Sequence, residues 1–281
     1  MNLQWYPGHM TKTKRLIEES LSQIDVVVEV IDARVPKSSR NPDFDALFAR
    51  KPRILIMNKF DLADPAATAK WEAYFRAAGI KVITTNSLSG KGVDKIASAA
   101  KAAIADKIKK DTERGVNRAV RLMIVGIPNV GKSSIINRLV GKASTKTGDR
   151  PGVTRGKQWI RLKEGIELLD TPGILWPKFE DMQVGMNLAF IGSIKDEVMD
   201  IETLCCNLLE FLQAHYPQPL MVRYKLDDIA GMTGLEILEY ISKKRGFIVS
   251  GGELDTWRGA NIVIDEFRAA KIGAVSLEVP E

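Results

Sequence analysis

Six stretches of the chain carry the pattern of sheet strands. Residues 24–33 (IDVVVEVIDA) are almost continuously apolar and β-branched, as in a strand covered on both faces. Residues 53–57 (RILIM), 81–85 (KVITT), 121–125 (RLMIV) and 166–169 (IELL) repeat that pattern, and 158–162 (QWIRL) alternate as an edge strand does. Helical spacing lies between them, at about 10–22, 64–78, 92–111 and 132–140. Strand–helix alternation predicts an α/β fold with a mostly parallel, six-stranded sheet and helices on both faces. After Trp176-Pro177 the pattern turns to helix alone, at about 182–192, 196–214, 226–230, 234–244, 251–255 and 257–271. Breaks are expected at Tyr216-Pro217-Gln218-Pro219, Arg245-Gly246 and Ser250-Gly251-Gly252. The expected division is an α/β domain over 1–178 and a small all-helical domain over 179–281, without internal repeats.

Composition narrows the class. The 281 residues are 45% hydrophobic and 27% charged, ordinary for a globular chain long enough to bury its own core. No apolar run approaches the ~18 residues of a membrane span, and the start, MNLQWYPGHMTKTKR, lacks a secretory h-region. Cys205 and Cys206 are adjacent and poorly placed for a disulfide; a helical core position and a reducing cytoplasm suit them. The charge is uneven. Up to residue 179 there are 32 Lys and Arg against 18 Asp and Glu; from 180 onward there are 9 against 17. The basic first part suggests a polyanionic partner, nucleic acid before anionic membrane, although a solvated basic surface has the same composition.

Residues 126–133 (GIPNVGKS) fit GxxxxGK[ST] between a strand and a helix. Such a loop turns backbone N–H groups toward phosphate, aided by the helix N-terminus. Through Asn129, Val130 and Gly131 the loop would wrap phosphate oxygens. Lys132 would reach the β- and γ-phosphates, Ser133 would ligate Mg²⁺, and Ser134 would bond the α-phosphate. Asn58-Lys59-Phe60-Asp61 reads NKxD at a strand end: Asp61 can accept from guanine N1–H and the 2-amino group, where adenine offers no donor. Asn58 is expected on the purine edge and Lys59 along the base, although the same residues also make ordinary turns. Asp170-Thr171-Pro172-Gly173 reads DxxG, with Asp170 near the metal and the Gly173 N–H near the γ-phosphate; a tight turn is the other reading. Residues 150–155 (RPGVTR) hold Thr154, the leading second hydroxyl for Mg²⁺, with Thr145 and Thr147 as rivals. Asn86-Ser87-Leu88 follows the KVITT strand and could offer a backbone N–H to guanine O6.

These five elements resemble the motifs of the translation-factor class of GTPases, in altered order. The base-reading motif at 58 and the loop at 86 precede the phosphate loop at 126, so the usual fourth and fifth elements come first. That circular permutation, with WYPGHM at the start and helices at the end, resembles the YlqF/RbgA family, the ribosome biogenesis GTPase A proteins. The resemblance implies a circularly permuted P-loop GTPase domain and a cytoplasmic GTPase, monomeric off the ribosome. It implies GTP and GDP as ligands, action in assembly of the large ribosomal subunit, binding to ribosomal RNA and ribosomal proteins, and stimulation of hydrolysis by that particle. A GTP-dependent sensor with little turnover, or a tRNA-associated GTPase, are the alternatives.

Two further expectations concern hydrolysis. Many GTPases place a Gln after the DxxG glycine to orient water; here Ile174 stands there, so intrinsic turnover should be slow. Asn129 could hold a K⁺, since K⁺-stimulated GTPases of similar sequence carry Asn there, or simply make the turn. His9 could orient or deprotonate water; the PGHM segment is a family hallmark, yet His9 could instead contact RNA or pack. Because DTPG runs directly into the helical part, nucleotide state is expected to set the angle of that part, unless the segment is a passive linker. Glu29 and Asp32 read as structural. Lys243-Lys244-Arg245, Arg258 and Lys271 could clamp RNA phosphate, while Trp257 and Tyr240 read first as core and second as base-stacking groups.

Overall fold

The computed structural model of the chain describes residues 8–141, 159–176, 179, 181–194 and 200–280, with 8–11 and Glu164 described by backbone alone. Two compact units result, Met1–Glu180 with Ser276–Glu281, and Asp181–Val275.

The first unit runs α1 (Gly8–Ser20), β1 (Val26–Asp32), α2 (Asp43–Leu47), β2 (Arg53–Asn58), α3 (Pro65–Ala77), β3 (Lys81–Thr85), α4 (Lys95–Ala103), α5 (Ala105–Glu113), β4 (Val120–Val125), α6 (Lys132–Gly141), β5 (Trp159–Leu162) and β6 (Ile166–Asp170). One six-stranded sheet has the order β3-β2-β1-β4-β6-β5. All neighbours are parallel except β5 against β6, so the alternating stretch is indeed an antiparallel edge. Central β1 is buried at every residue, which is why it reads as an almost continuous apolar run. On one face Trp71 and Phe75 of α3 pack with Ile31, Leu55 and Met57. That helix starts where Asp64 accepts from Ala66 N at 2.7 Å and Pro65 takes the first turn. The stretch 92–111, expected as one helix, is two, because the backbone of Ile104 leaves the helical region at φ −127° and ψ 26°.

The second unit runs α7 (Met182–Phe190), α8 (Ile201–His215), α9 (Pro217–Tyr224), α10 (Gly234–Arg245) and α11 (Thr256–Arg268). Helix α8 packs against α10 and α11 through Leu204, Cys205, Leu208 and Leu212, all buried. Helix α9 occupies the Pro-rich stretch expected as a break. Proline lacks only an N–H that a first helical turn leaves unpaired, so Pro217 starts a helix instead of ending one. Residues 226–230 are not helical, since Lys225 closes α9 in the left-handed region at φ 56°. Residues 251–255 are not helical either: Gly251 and Gly252 turn the chain so that Ile248 bridges Leu254. Trp257, expected first as core, is 61% exposed, and Tyr240 is half-buried with its hydroxyl donating to Asp227 at 2.7 Å.

The last residues depart from the expected division at 179. Instead of ending the helical part, the tail from Ser276 lies on the first unit. Leu277 N donates to Arg34 O at 2.9 Å, and Trp71 Nε1 donates to Glu278 O at 3.1 Å. The Glu278 carboxylate accepts from Lys37 N at 2.8 Å, from Ser38 N at 3.0 Å and from the Ser38 hydroxyl.

Candidate nucleotide site

Parallel strands put their C-terminal ends on one edge of a sheet, where α/β folds bind ligands. Here NKFD ends β2, Asn86-Ser87-Leu88 follows β3, the loop 126–131 follows β4 and Asp170 ends β6. Asp32 at the end of β1 pairs in register with Asn58, and Asp170 with Ile124. Strand order thus gathers motifs that the permuted chain scatters over more than a hundred positions.

The phosphate loop is built for close approach. Ile127 and Val130 are buried beneath it, while Asn129 is exposed with φ 62°, a conformation Asn tolerates. Gly131 has φ 96° and lies so close to the Asn58 amide that a Cβ would collide with it. Lys132 begins α6 and is 8% exposed. Its Nζ donates to Gly126 O at 3.0 Å and Ile127 O at 2.7 Å. Burial pushes its pKa down to about 8, against the opposing pull of Asp170. A phosphate beside this ammonium would restore the charged form. GTP binding is therefore expected to take up about one proton at pH 9 and much less at pH 7.5, with affinity falling as pH rises above about 8. Calorimetry in buffers of different ionisation enthalpy reads this; zero uptake at pH 9 would show that Lys132 does not meet phosphate.

Ser133 is exposed in the first turn of α6, and the Asp170 carboxylate lies buried nearby in the fold at the end of β6. A hydroxyl and one carboxylate are hard oxygen donors, suited to Mg²⁺ held jointly with nucleotide phosphates. Among the described residues no group of three His, Cys, Asp or Glu could form a cage of its own. Thr171 Oγ1 donates to Ile124 O at 2.6 Å and fixes the turn after Asp170. Gly173 must be glycine: a Cβ there would stand 2.8 Å from Pro128 N and 2.9 Å from Lys132 Nζ. Ile174 N donates to Gly126 O at 3.2 Å, and its side chain is 4% exposed, so position 174 offers water nothing polar.

The base-reading elements are tied to one another and to the phosphate loop by side-chain hydrogen bonds. Asn58 is wholly buried and its side chain is saturated. Nδ2 donates to Ser87 Oγ at 3.1 Å and Val130 O at 2.8 Å, while Oδ1 accepts from Thr85 Oγ1 at 3.0 Å and Ser87 N at 3.1 Å. It braces β2 against the phosphate loop and the loop after β3. In that second loop, Asn86 Oδ1 accepts from Leu88 N and Ser89 N, each at 2.9 Å. The N–H groups expected to serve guanine O6 are thus engaged within the loop, with the Leu88 side chain 81% exposed beside them. Asp61 is exposed, as a carboxylate waiting for two donors requires. Lys59 sits at φ 60°, and its Nζ donates to Asn129 O at 2.6 Å and meets Asp32 Oδ2 at 2.9 Å. Ser134 is half-buried in α6.

Asp32, which reads as structural in the sequence, joins this edge together with Arg34 and Asn41. Arg34 grips Asp32 through Nε at 2.9 Å and Nη2 at 2.8 Å. Burial alone would raise the Asp32 pKa; the Arg34 and Lys59 charges outweigh it and hold the carboxyl well below the usual range. Asn41 Nδ2 donates to Ile174 O at 3.3 Å. The one sequence signal is a carboxylate that closes a mostly apolar strand. Thr154, with Thr145, Thr147 and the rest of 150–155, lies outside the described residues; His9 falls in the first turn of α1, its side chain likewise outside them.

A family model described as a 50S ribosome-binding GTPase matches residues 121–215. The whole chain is 46% identical to ribosome biogenesis GTPase A of Bacillus cereus, covering 95% of that protein. It is 34% identical to the Thermotoga maritima protein of the same name, over 99% of this chain and 95% of that one. Mitochondrial ribosome-associated GTPase 1 of Bos taurus is 32% identical over 98% of this chain and 88% of its own. Among solved structures, GNP-bound YlqF from T. maritima matches with a TM-score of 0.66 at 31% identity, over 96% of this chain and 99% of that one. Full-length identity at this level, on a sheet edge that gathers the phosphate loop, DTPG and NKFD, means that the chain belongs to the YlqF, or ribosome biogenesis GTPase A, family of GTP-hydrolysing enzymes.

Proposed function

We propose that the protein uses GTP hydrolysis as a timer for its stay on the assembling large ribosomal subunit, which it engages through ribosomal RNA and protein. The observation that carries the nucleotide part is the buried Lys132, held by two loop carbonyls at 2.7–3.0 Å and short of a full counter-charge. Incoming phosphate oxygens replace those carbonyls as its partners. The N–H groups of the loop and of the first turn of α6 share the phosphate charge. Ser133, Asp170 and Thr154 are the groups that would hold Mg²⁺, which when bound neutralises charge on the β- and γ-phosphates. Phosphoryl transfer needs chiefly positioning and charge neutralisation, and these groups supply both. Asp61 selects guanine.

Hydrolysis by the isolated protein is slow, because Ile174 is buried and apolar where other GTPases present Gln. His9, brought in by the particle, orients the attacking water; Asn129 is the residue that would hold a K⁺, which would supply charge beside the phosphates. The description of the matched family model, and the names of the relatives, support the ribosome as partner. RNA contact is supported by the basic excess up to residue 179 and, in the second unit, by exposed Lys243, Lys244 and Arg245 on α10 and exposed Trp257 and Arg258 on α11. Among the described residues no helix is long and apolar enough to cross a membrane; we place the protein in the cytoplasm, monomeric off the ribosome.

The test is GTP turnover by the purified protein in K⁺ or Na⁺ buffer, with and without purified large subunits. The expected result is slow turnover alone, a rise of at least about tenfold with subunits, and a larger rise in K⁺. Equal rates in both salts would remove the ion at Asn129. A rate unmoved by subunits would turn the reading toward a GTP-dependent sensor, the role that the buried Ile174 favours, or toward a tRNA partner.

A further inference from the structure

Lys59 reaches the nucleotide edge paired with a residue outside the five motifs named above, Asp32. Its Nζ bridges Asn129 O of the phosphate loop, at 2.6 Å, and Asp32 Oδ2, at 2.9 Å. Asp32 is wholly buried at the end of β1, the strand lying between β2, which carries NKFD, and β4, which carries the phosphate loop. Its carboxylate is fixed from several sides: Arg34 N donates to Oδ1 at 3.1 Å, Arg34 Nε to Oδ1 at 2.9 Å and Arg34 Nη2 to Oδ2 at 2.8 Å. Its own N–H donates to Ser39 Oγ at 3.0 Å. Arg34 alone balances the charge of Asp32. Lys59 is therefore a second cation on an already satisfied carboxylate, and its long side chain is ordered across the loop before any ligand arrives.

We infer that Asp32 is a positioning residue for guanine nucleotide binding, acting through Lys59. A free lysine would lose side-chain rotamer freedom on meeting the nucleotide. Anchored by Asp32, Lys59 has lost it beforehand, and the same ammonium ties the base-reading strand to the phosphate loop at Asn129. The inference rests on the reading that Lys59 meets the nucleotide, and the experiment separates the two.

The full-length protein, as wild type, Lys59→Ala, Asp32→Asn and the double variant, is titrated with fluorescent mant-GDP well below each variant's melting temperature. Each single change is expected to weaken binding about tenfold, the scale of one hydrogen bond to a charged group. The double variant is expected to bind no more weakly than Lys59→Ala alone. A lower melting temperature for Asp32→Asn is expected whether or not Asp32 acts through Lys59, because the change leaves buried Arg34 without its counter-charge. An Asp32 that acts independently of Lys59 would give losses that multiply, toward about a hundredfold, and that result overturns the inference. So does Asp32→Asn binding normally while Lys59→Ala does not. Normal binding by Lys59→Ala would instead remove Lys59 from the nucleotide. If Asp32→Asn fails to fold, Asp32→Glu keeps the charge that Arg34 needs and moves the carboxylate by one methylene. The same tenfold loss, absent in the Lys59→Ala background, is then expected, and its absence overturns the inference equally.

Discussion

Asp61→Asn is expected to turn the site from guanine toward xanthine. The Asp61 carboxylate accepts from N1–H and from the 2-amino group; an amide in its place can accept from one and opposes a donor to the other. Two hydrogen bonds to a charged acceptor are at stake, together about 3–5 kcal/mol, or two to three orders of magnitude in GTP affinity. Xanthine carries a carbonyl where guanine carries the 2-amino group, so the Asn amide N–H regains a partner and affinity for xanthosine triphosphate should rise by a similar factor. Asp61 is exposed and lies outside the strand it follows, so the exchange should cost the fold within about 0.5 kcal/mol. Competition binding with the two triphosphates reads the ratio. An unchanged ratio would mean that Asp61 does not read the base.

Lys132→Ala should have the larger effect on turnover and a contrary effect on stability. The ammonium sits where charge accumulates as the γ-phosphoryl group leaves, in a site sheltered from water. Losing one such group costs about 3–4 kcal/mol of transition-state stabilisation, so kcat should drop by about 10²–10³-fold. Burial pushes the Lys132 pKa down to about 8. The unfolded chain thus holds this proton more tightly than the folded one, and below about pH 8 the buried charge opposes folding in full. That penalty fades as pH rises from about 8 toward the usual lysine value. Removing the charge should leave the melting temperature at pH 7 unchanged or raise it, even though the Gly126 and Ile127 carbonyls lose a donor. Single-turnover hydrolysis paired with thermal melts separates the two effects. A variant that keeps its turnover would place the phosphates elsewhere, and one that merely unfolds would make Lys132 a structural residue.

What the sequence disclosed, and what it did not, follows from how far each signal reaches along the chain. Strands β1, β2 and β4 announce themselves because a parallel strand covered on both faces is mostly apolar, as in Val26–Asp32, where Glu29 and Asp32 are the exceptions. The phosphate loop, DTPG and NKFD are local patterns, so their order exposed the permutation before any geometry was known. The helical unit was less legible. Proline ends a helix or begins one depending on whether an N–H is needed from it, and Pro217 alone does not say which. The bracing part of Asn58 is not local: its amide meets Val130, Ser87 and Thr85, up to 72 positions away. The link from Asp32 to Lys59 and the seat of Glu278 on Lys37 and Ser38 are likewise long-range, and nothing in the local pattern marks them.

The return of the tail makes the helical unit an insertion with two covalent ends, one after Glu180 and one before Ser276. One end continues from the DTPG segment; the other is riveted by Glu278 to Lys37 and Ser38, in the segment that follows Arg34. A single proteolytic nick between the units would not set the helical part loose. A partner that holds the helical part is thereby joined covalently to the first unit at both ends, through the chain after Glu180 and through the chain before Ser276.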